Sequence, residues 1–276
     1  IIPILVNRSA ESVAAMLGCI LLKKGIAPLS SNQPSVRIQK SLSKLNSTVL
    51  LSPFPSKLDL VNIKILTPKN KAVHPNVIYN ELDFNSKDIL YTLFTSGSTG
   101  EPKGVMVSSE NIENTIEWSK DIIDWNNGDI IGCATNFFFD ISMFDMFTTL
   151  YLNIPLAIYS EPNSITKVID ETLKFRITSI FSVPLFFAQF LKYDLETNID
   201  KFQNLRRIMS GGDFFHPNHI LKWMKLFPNV DIFNVWGPTE TSIVNTMHLI
   251  TQKDKDILLK GESPSVGKVH SKMNFV

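Results

Sequence analysis

The run Thr95-Ser96-Gly97-Ser98-Thr99-Gly100-Glu101-Pro102-Lys103-Gly104 decides how the rest of the chain is read. Before it, Ile89 to Phe94 (ILYTLF) is a short apolar run with aromatic and β-branched residues, the pattern of a buried strand. After it, Val105-Met106-Val107 reads as a second strand, so the run is a loop held between two strands. Four hydroxyls, three glycines and one lysine fall within it. Glycine lets the backbone turn its amides toward a ligand, and hydroxyls with one ammonium can satisfy phosphate oxygens. Ser, Thr and Gly are also ordinary turn residues. The density of donors, and the apolar strands that would hold them, favour phosphate binding by Thr95, Ser96, Gly97, Ser98, Thr99, Gly100 and Lys103 over a plain surface turn. The loop is not of the Walker type, because Pro102 stands five residues after Gly97 and Lys103 leads into a strand rather than a helix.

Outward from the loop, helix and strand patterns alternate. On the N-terminal side, Ile1 to Val6 reads as a strand, and Ser9 can cap a helix running to Lys24 that Gly25 ends. Ile26 to Leu29 is a strand, Pro34 opens a helix to about Leu45, and Thr48 to Leu51 is a strand. The segment 53–80, rich in Pro, Asn and Lys around a strand at Val61 to Leu66, reads as an exposed connection. On the C-terminal side, Ser108 can cap a helix through Ile123, and Ile130 to Thr135 is a strand. Strands at Pro155 to Tyr159 and Ile177 to Ser182 alternate with helices at Ile165 to Phe175 and Leu185 to Tyr193. Strands at Arg206 to Met209 and Val230 to Phe233 follow, the latter as the last strong strand. The expected fold is α/β, with layered, mostly parallel sheets flanked by helices.

Composition narrows the function classes. A chain of 276 residues can bury a large core as one domain or two joined subdomains. Hydrophobic content of 44% with 19% charged residues is that of an ordered globular protein, and a net charge of +1 gives no electrostatic reason to expect nucleic acid or an anionic membrane as partner. No apolar run approaches the roughly 18 residues of a membrane span. The opening IIPILV lacks the charged region and cleavage pattern of a signal peptide, and without an initiator Met it reads as a strand within a larger domain. Cys19 and Cys133 lie in apolar segments without ligand spacing, which fits buried free thiols and a cytoplasmic location. His216 and His219 flank a helix start and read as surface polar residues rather than half of a metal site; His74, His248 and His270 carry no argument.

Two further stretches carry chemistry. In Asn136 to Asp145 (NFFFDISMFD) an aspartate is enclosed by aromatic and apolar residues, which is costly unless it is paired. On the residues alone, Asp140 fits a helix cap and a ligand carboxylate equally well. In Asn234-Val235-Trp236-Gly237-Pro238-Thr239-Glu240-Thr241, small and hydroxyl residues, a carboxylate and a large aromatic gather at a strand's C-terminal end. That is where open α/β sheets hold ligands, although a Gly-Pro turn alone would also fit.

The string TSGSTGEPKG closely resembles the phosphate loop of adenylate-forming enzymes: acyl-CoA synthetases, luciferases and the adenylation domains of peptide synthetases. The turn Ser210-Gly211-Gly212-Asp213 resembles the same family's Gly-Gly-Glu, with Asp for Glu, and KKGIAPLSSNQP (23–34) resembles its early Lys-Ala-Gly motif. NVWGPTET is similar to its adenine and phosphate motif. The resemblance implies that Gly211, Gly212, Asp213, Asn234, Val235, Trp236, Gly237, Pro238 and Thr239 bind nucleotide. Asn234 would bond adenine, Trp236 would stack on it, Thr239 would meet the α-phosphate, and Glu240 would hold Mg2+. Thr95, Lys103, Thr239 and Glu240 become the expected catalytic groups. Phe139-Asp140-Ile141-Ser142 resembles the amino-acid-activating branch, whose aspartate receives the substrate ammonium.

The implied reaction joins a carboxylate to the α-phosphate of ATP and then passes the acyl group to the phosphopantetheine thiol of a carrier protein, in cis or in trans. Carrying over the pocket positions of that branch places the substrate side chain among Asp140, Ile141, Phe144, Phe181, Met209, Gly211, Val235, Ile243 and Val244. Apart from Asp140 this lining is apolar, which implies an aliphatic amino acid, and the combination of Asp, two Phe and Gly-Val resembles lining seen with branched ones (Val, Ile or Leu); resemblance to D-alanine–carrier-protein ligases keeps alanine open, and chirality is not readable. Residues 1–276 would be a partial adenylation core, of two related α/β subdomains dividing near 110–130. The ribose-binding Thr-Gly-Asp, hinge and lid lysine are expected beyond Val276, so the chain alone is expected to hold ATP weakly and adenylate poorly. Ser109 stands where many relatives have His. The rival readings are a fatty-acyl or aryl-CoA synthetase, in which Asp140 would have no ammonium to meet, and a non-catalytic remnant.

Overall fold

The computed structural model describes residues 1–68, 85–96, 101–193 and 199–270. The chain divides into two compact units, residues 1–112 with 136–139, and residues 113–135 with 140–276.

The first unit holds β1 (Ile2–Val6), α1 (Ala10–Leu21), β2 (Ile26–Ser30), α2 (Ser35–Lys44), β3 (Val49–Leu51), β4 (Lys64–Leu66), β5 (Ile89–Ser96) and β6 (Pro102–Ser108). They form a six-stranded sheet in the order β4-β3-β1-β2-β5-β6. Neighbours run parallel except β6, which returns antiparallel beside β5. Every residue of β2 is buried, as expected of a parallel strand covered on both faces. Leu5, Leu29, Ile38, Leu42 and Leu50 make the core under α2. The cap at Ser9 is formed, its side chain accepting the Ser12 N–H. Helix α1 stops at Leu21, short of the expected Lys24, because Lys23 turns left-handed at φ 55°. Gly25 instead leads into β2, its carbonyl accepting the Ile2 N–H at 2.7 Å. The strand expected at Val61 is confined to Lys64–Leu66, and residues 69–80 of the Pro-, Asn- and Lys-rich connection, His74 among them, lie outside the described residues.

The division between units falls within α3 (Ser109–Lys120). The second unit continues with β7 (Ile131–Cys133), α4 (Asp140–Leu152), β8 (Leu156–Ile158), α5 (Ile165–Lys174), β9 (Ser179–Ser182), α6 (Pro184–Phe190), β10 (Arg207–Ser210), α7 (Pro217–Leu226), β11 (Asp231–Trp236), β12 (Thr246–Ile250), α8 (Lys255–Leu259) and β13 (Lys268–Val269). Its sheet runs β13-β12-β11-β10-β9-β7-β8. The five strands from β8 to β11 are parallel, while β12 and β13 add antiparallel pairs that the alternation of the sequence did not announce. The fold is therefore mixed α/β with two mostly parallel sheets, as expected. Strand β11 runs three residues past Phe233, so Asn234 to Trp236 lie on a strand rather than after one.

Register sorts the side chains of this sheet. Ile180, Ile208 and Ile232 pair across neighbouring strands and pack with Phe187, Phe190 and Trp223 in one core. One residue on, Cys133, Phe181, Met209 and Phe233 form a row on the opposite face. Helix α4 is buried along its whole Ile141–Thr149 length, which is why its sequence is apolar all round. Cys19 and Cys133 are buried and unbridged. His216 caps α7, its Nδ1 accepting the Asn218 N–H at 3.3 Å. His248 and His270, silent in the sequence, are both engaged: His248 Nε2 lies 2.8 Å from Asp254 Oδ1, and the His270 ring lies tilted against Trp118, 4.8 Å between centroids. Among the described residues no helix is long and apolar enough to cross a membrane.

Candidate active site

In the first unit the hydroxyl- and glycine-rich run is the tip of the β5–β6 hairpin. Thr95 and Lys103 are direct cross-strand partners, so the first hydroxyl and the lysine of the run flank one opening. Ser96 is paired with Pro102. Gly97, Ser98, Thr99 and Gly100 lie outside the described residues. Just past them, Glu101 takes an ion pair from Lys40 of α2 at 2.7 Å, and that ammonium holds the Glu101 carboxyl below the usual range. Ser109, at the first turn of α3, bonds the Asn85 and Ser86 carbonyls through its hydroxyl.

The second unit brings together the remaining expected residues around the C-terminal ends of β7, β9, β10 and β11. Asp140 begins α4. One carboxylate oxygen accepts the Ile141 N–H at 2.9 Å, one residue on rather than the two or three of a helix cap, and the other accepts the Thr239 hydroxyl at 2.6 Å. Burial pushes the Asp140 carboxyl above the usual carboxylate range; the Thr239 hydroxyl and the Ile141 N–H pull it down, and the charge of Glu240 pushes it up again. Glu240 itself is exposed.

Thr239 to Thr241 is one 3-10 turn following Gly237-Pro238. Gly237 is required there by close approach, since a Cβ would overlap the Ile243 carbonyl. The chain then passes through two left-handed non-glycine residues, Ser242 at φ 71° and Ile243 at φ 76°, before entering β12. Backbone of this kind costs about 1–3 kcal/mol per residue and collects at functional sites.

At the end of β11, Asn234 and Trp236 border a pocket of about 500 Å³. Its wall also includes Gly212, Asp213, Phe214, Val235, Pro238 and, from a later segment, Ser263, Pro264 and Val266. Trp236 is 46% exposed, an indole laid open at the rim. Asn234 donates from Nδ2 to the Ser265 carbonyl at 3.0 Å, so the side chain expected to meet adenine also pins the Ser263–Val266 wall. That wall was missed in the sequence, where Ser-Pro-Ser-Val carries no signal beyond a turn.

Of the expected side-chain lining, Phe181 and Met209 are paired on neighbouring strands, on the face opposite Ile180 and Ile208. Phe144 of α4 meets Phe181 of β9 edge to face, 5.6 Å between centroids. Gly211 ends β10 where a Cβ would sit 2.8 Å from the Val235 carbonyl and 3.4 Å from the Phe181 ring. Ile141, Phe144, Phe181, Val235 and Ile243 are nearly closed to solvent, and Met209 and Val244 are 0% exposed. Val235 borders this pocket and also packs beside Gly211, next to the Phe181 ring, so the pocket and the apolar residues meet at β11.

A family profile described as "AMP-binding enzyme" matches residues 1–274. Bacitracin synthase 3 of Bacillus licheniformis is 28% identical over 262 residues, which are 94% of this chain and 4% of that protein. Among solved structures, the nonribosomal peptide synthetase FmoA3 superimposes with a TM-score of 0.85 at 19% identity, covering 97% of this chain and 28% of that one; it has also been solved in an AMPPNP-bound form. PA1221, described as containing adenylation and PCP domains, gives a TM-score of 0.81 at 17% identity over 97% of this chain and 45% of that one. These structural likenesses carry the fold, and the chain spans only a small part of the synthetases it matches. The profile spans nearly the whole sequence, and the chain belongs to the AMP-binding enzyme family.

Proposed function

We propose that residues 1–276 are the partial core of an amino-acid adenylation domain, an ATP-dependent ligase that forms an aminoacyl-AMP and passes the acyl group to a carrier-protein phosphopantetheine. The observation that carries this reading is the 2.6 Å bond between Thr239 and Asp140. It sets a half-buried carboxylate, with a lone pair suited to an ammonium, beside the hydroxyl suited to a phosphate oxygen. A fatty or aryl acid would leave Asp140 without a cationic partner, at the cost of desolvating it. Family membership and the peptide-synthetase relatives support the same choice.

In this reading Thr95, Lys103 and the glycine-rich loop hold the phosphates, and the Trp236 pocket holds the adenine. In-line attack of the carboxylate on the α-phosphate gathers negative charge on phosphoryl oxygens, so the protein's work is positioning and charge stabilisation. Glu240 fits Mg2+, because that ion takes one or two carboxylates together with phosphate oxygens and water. When bound it would neutralise developing phosphate charge. The side chain would be aliphatic. With Met209 and Val244 closed to solvent and the two phenyl rings already in contact, the short end of that class, alanine among it, fits better than a branched five- or six-carbon amino acid. Carrier transfer is supported by PA1221, whose description includes a PCP domain beside the adenylation domain.

The test compares alanyl-sulfamoyl-adenosine with the analogue lacking its amine, by calorimetry on this chain. Tighter binding of the amine by about tenfold or more is expected, from one charge-assisted hydrogen bond. Equal affinity would overturn the amino-acid reading in favour of an acyl or aryl acid.

A further inference from the structure

We infer that Asn245 is a positioning residue for the Thr239 hydroxyl, locking the turn that carries it from a buried point outside both the base pocket and the apolar lining. The inference rests on the amino-acid reading given above.

The turn has reason to relax. Ser242 and Ile243 both sit in the left-handed region, and for a β-branched isoleucine that is an uncommon conformation. Such strain persists only where the surroundings over-determine it. Asn245 supplies that constraint from the residue just before β12. Its backbone N–H donates to the Trp236 carbonyl at 2.9 Å, and its carbonyl accepts the His270 N–H at 2.8 Å. The side chain reaches back along the turn: Nδ2 donates to the Thr241 carbonyl at 3.1 Å, and Oδ1 faces the Thr241 hydroxyl at hydrogen-bond distance. That hydroxyl can share its single proton with the Pro238 carbonyl at 3.1 Å. Asn245 is 1% exposed, so these bonds are made away from competing water.

One amide thus grips the turn at its exit and ties it to the strand at its entrance. Between these two grips lies Thr239, whose hydroxyl meets Asp140. Truncating Asn245 leaves the Thr241 carbonyl without that donor and frees Ser242 and Ile243 to leave the left-handed region. Thr239 then loses its register on Asp140 without either residue being changed.

The consequence can be read through Asp140. Burial raises its pKa and the Thr239 hydroxyl lowers it; the charge that bears on it from the turn is that of Glu240, unaltered in the variants below. An ammonium ligand needs the ionised carboxylate, so affinity falls as pH drops through the folded pKa. Losing the Thr239 bond raises that pKa, and the fall moves to higher pH.

The experiment is the pH dependence of alanyl-sulfamoyl-adenosine binding to the wild-type chain and to Asn245→Ala, Thr241→Val and Thr241→Ser. Thr241 is exposed, so its variants test the grip even where Asn245→Ala folds poorly. Asn245→Ala and Thr241→Val should weaken binding at neutral pH about three- to tenfold, the worth of one hydrogen bond, and move the acidic fall upward. Thr241→Ser, which keeps the hydroxyl, should match the wild type in both. Weakening that is uniform in pH, or no change at all, overturns the positioning role while leaving the amino-acid reading intact. A wild-type chain that binds the analogue no better than its deaminated form overturns that reading, and the role of Asn245 with it.

Discussion

Two aspartates at opposite ends of β7 live under opposite rules. Asp129, just before the strand, is fully buried and fully answered. It accepts from Arg207 at 2.8 Å, Arg206 at 3.0 Å, the Thr178 hydroxyl at 2.9 Å and the Asn126 N–H at 2.9 Å. Arg207 in turn donates to the Asp124 carbonyl and lies over the Trp125 ring. Burial pushes Asp129 up, yet Arg207 and the other donors hold it below the usual carboxylate range. Asp140, beyond the strand at the start of α4, has one hydroxyl and one backbone N–H, and burial leaves it above that range. The ends where β7, β9 and β10 begin spend their polar groups on holding strands together. The ends where they stop hold a carboxylate in reserve, beside strained backbone and an open pocket. A satisfied buried charge marks architecture; an under-answered one marks a site.

The sharpest way to break the comparison is to remove the answered charge. Asp129→Ala should destabilise the chain by about 3–5 kcal/mol, because Arg207 is left buried without its partner. Denaturant unfolding would measure it, and a loss under about 1 kcal/mol would show that the cluster does not hold the strands. The sign of the pH effect follows. Asp129 has a lowered folded pKa, so its contribution is present above the unfolded value of about 3.9 and disappears as pH falls through the folded one. Acid unfolding of the wild type should therefore steepen below that value, and the variant should lack this step.

Changing the reserved charge should do the reverse. Asp140→Asn keeps the shape and an oxygen for Thr239, so unfolding should shift by less than about 0.5 kcal/mol. Binding of an aminoacyl-adenylate analogue should drop by about 10- to 100-fold, the worth of a hydrogen bond to a charged group, and binding of the deaminated analogue should not. In the wild type, preference for the amine should fade as pH drops through the raised pKa of Asp140, at higher pH than an ordinary carboxylate would allow. Equal losses for both analogues would place Asp140 among the architectural carboxylates.

The difference between the two ends was only half legible in the sequence. Asp140 stood out because its neighbours Phe137, Phe138, Phe139 and Ile141 make a carboxylate expensive. Asp129 sits in an ordinary Asn-Asn-Gly-Asp turn, and its partners Thr178, Arg206 and Arg207 are brought to it only by strand order. The parallel strands were readable from apolar runs bounded by turns, but β12 and β13 were not. Thr246 to Ile250 contains a histidine and alternates weakly, and its pairing is set by the turn after Gly237 rather than by its own composition. Local motifs announced Gly237, Thr239 and Glu240. Nothing local announced Asn245 or the Ser263–Val266 wall, whose parts in the site exist only once β12 folds back on β11.

The apolar lining sharpens the comparison at the substrate end. Phe144→Leu removes one wall of the edge-to-face pair with Phe181 and opens space where none of water size borders Met209 or Val244. Analogues with longer aliphatic side chains should gain on alanyl-sulfamoyl-adenosine by about 1–3 kcal/mol for each methylene accommodated, read as the ratio of dissociation constants. An unchanged ratio would mean that the side chain binds elsewhere.

The smallest effect is expected at Trp236. Its indole is 46% exposed at the rim of the 500 Å³ pocket, on a residue paired with Thr246 of β12. Trp236→Ala should leave unfolding within about 0.5 kcal/mol of the wild type, as for other exposed positions. An aromatic face against a purine is worth about 0.5–1.5 kcal/mol beyond area, so AMP should bind roughly two- to tenfold more weakly. Trp236→Phe should recover part of that loss, since a smaller ring still offers a face. The preference for an amine should be untouched in both variants, because it depends on Asp140 and not on the base. Were Trp236→Ala to erase that preference while sparing AMP, the indole would belong to the substrate side of the strand. The assignment of the indole to the base would then be wrong.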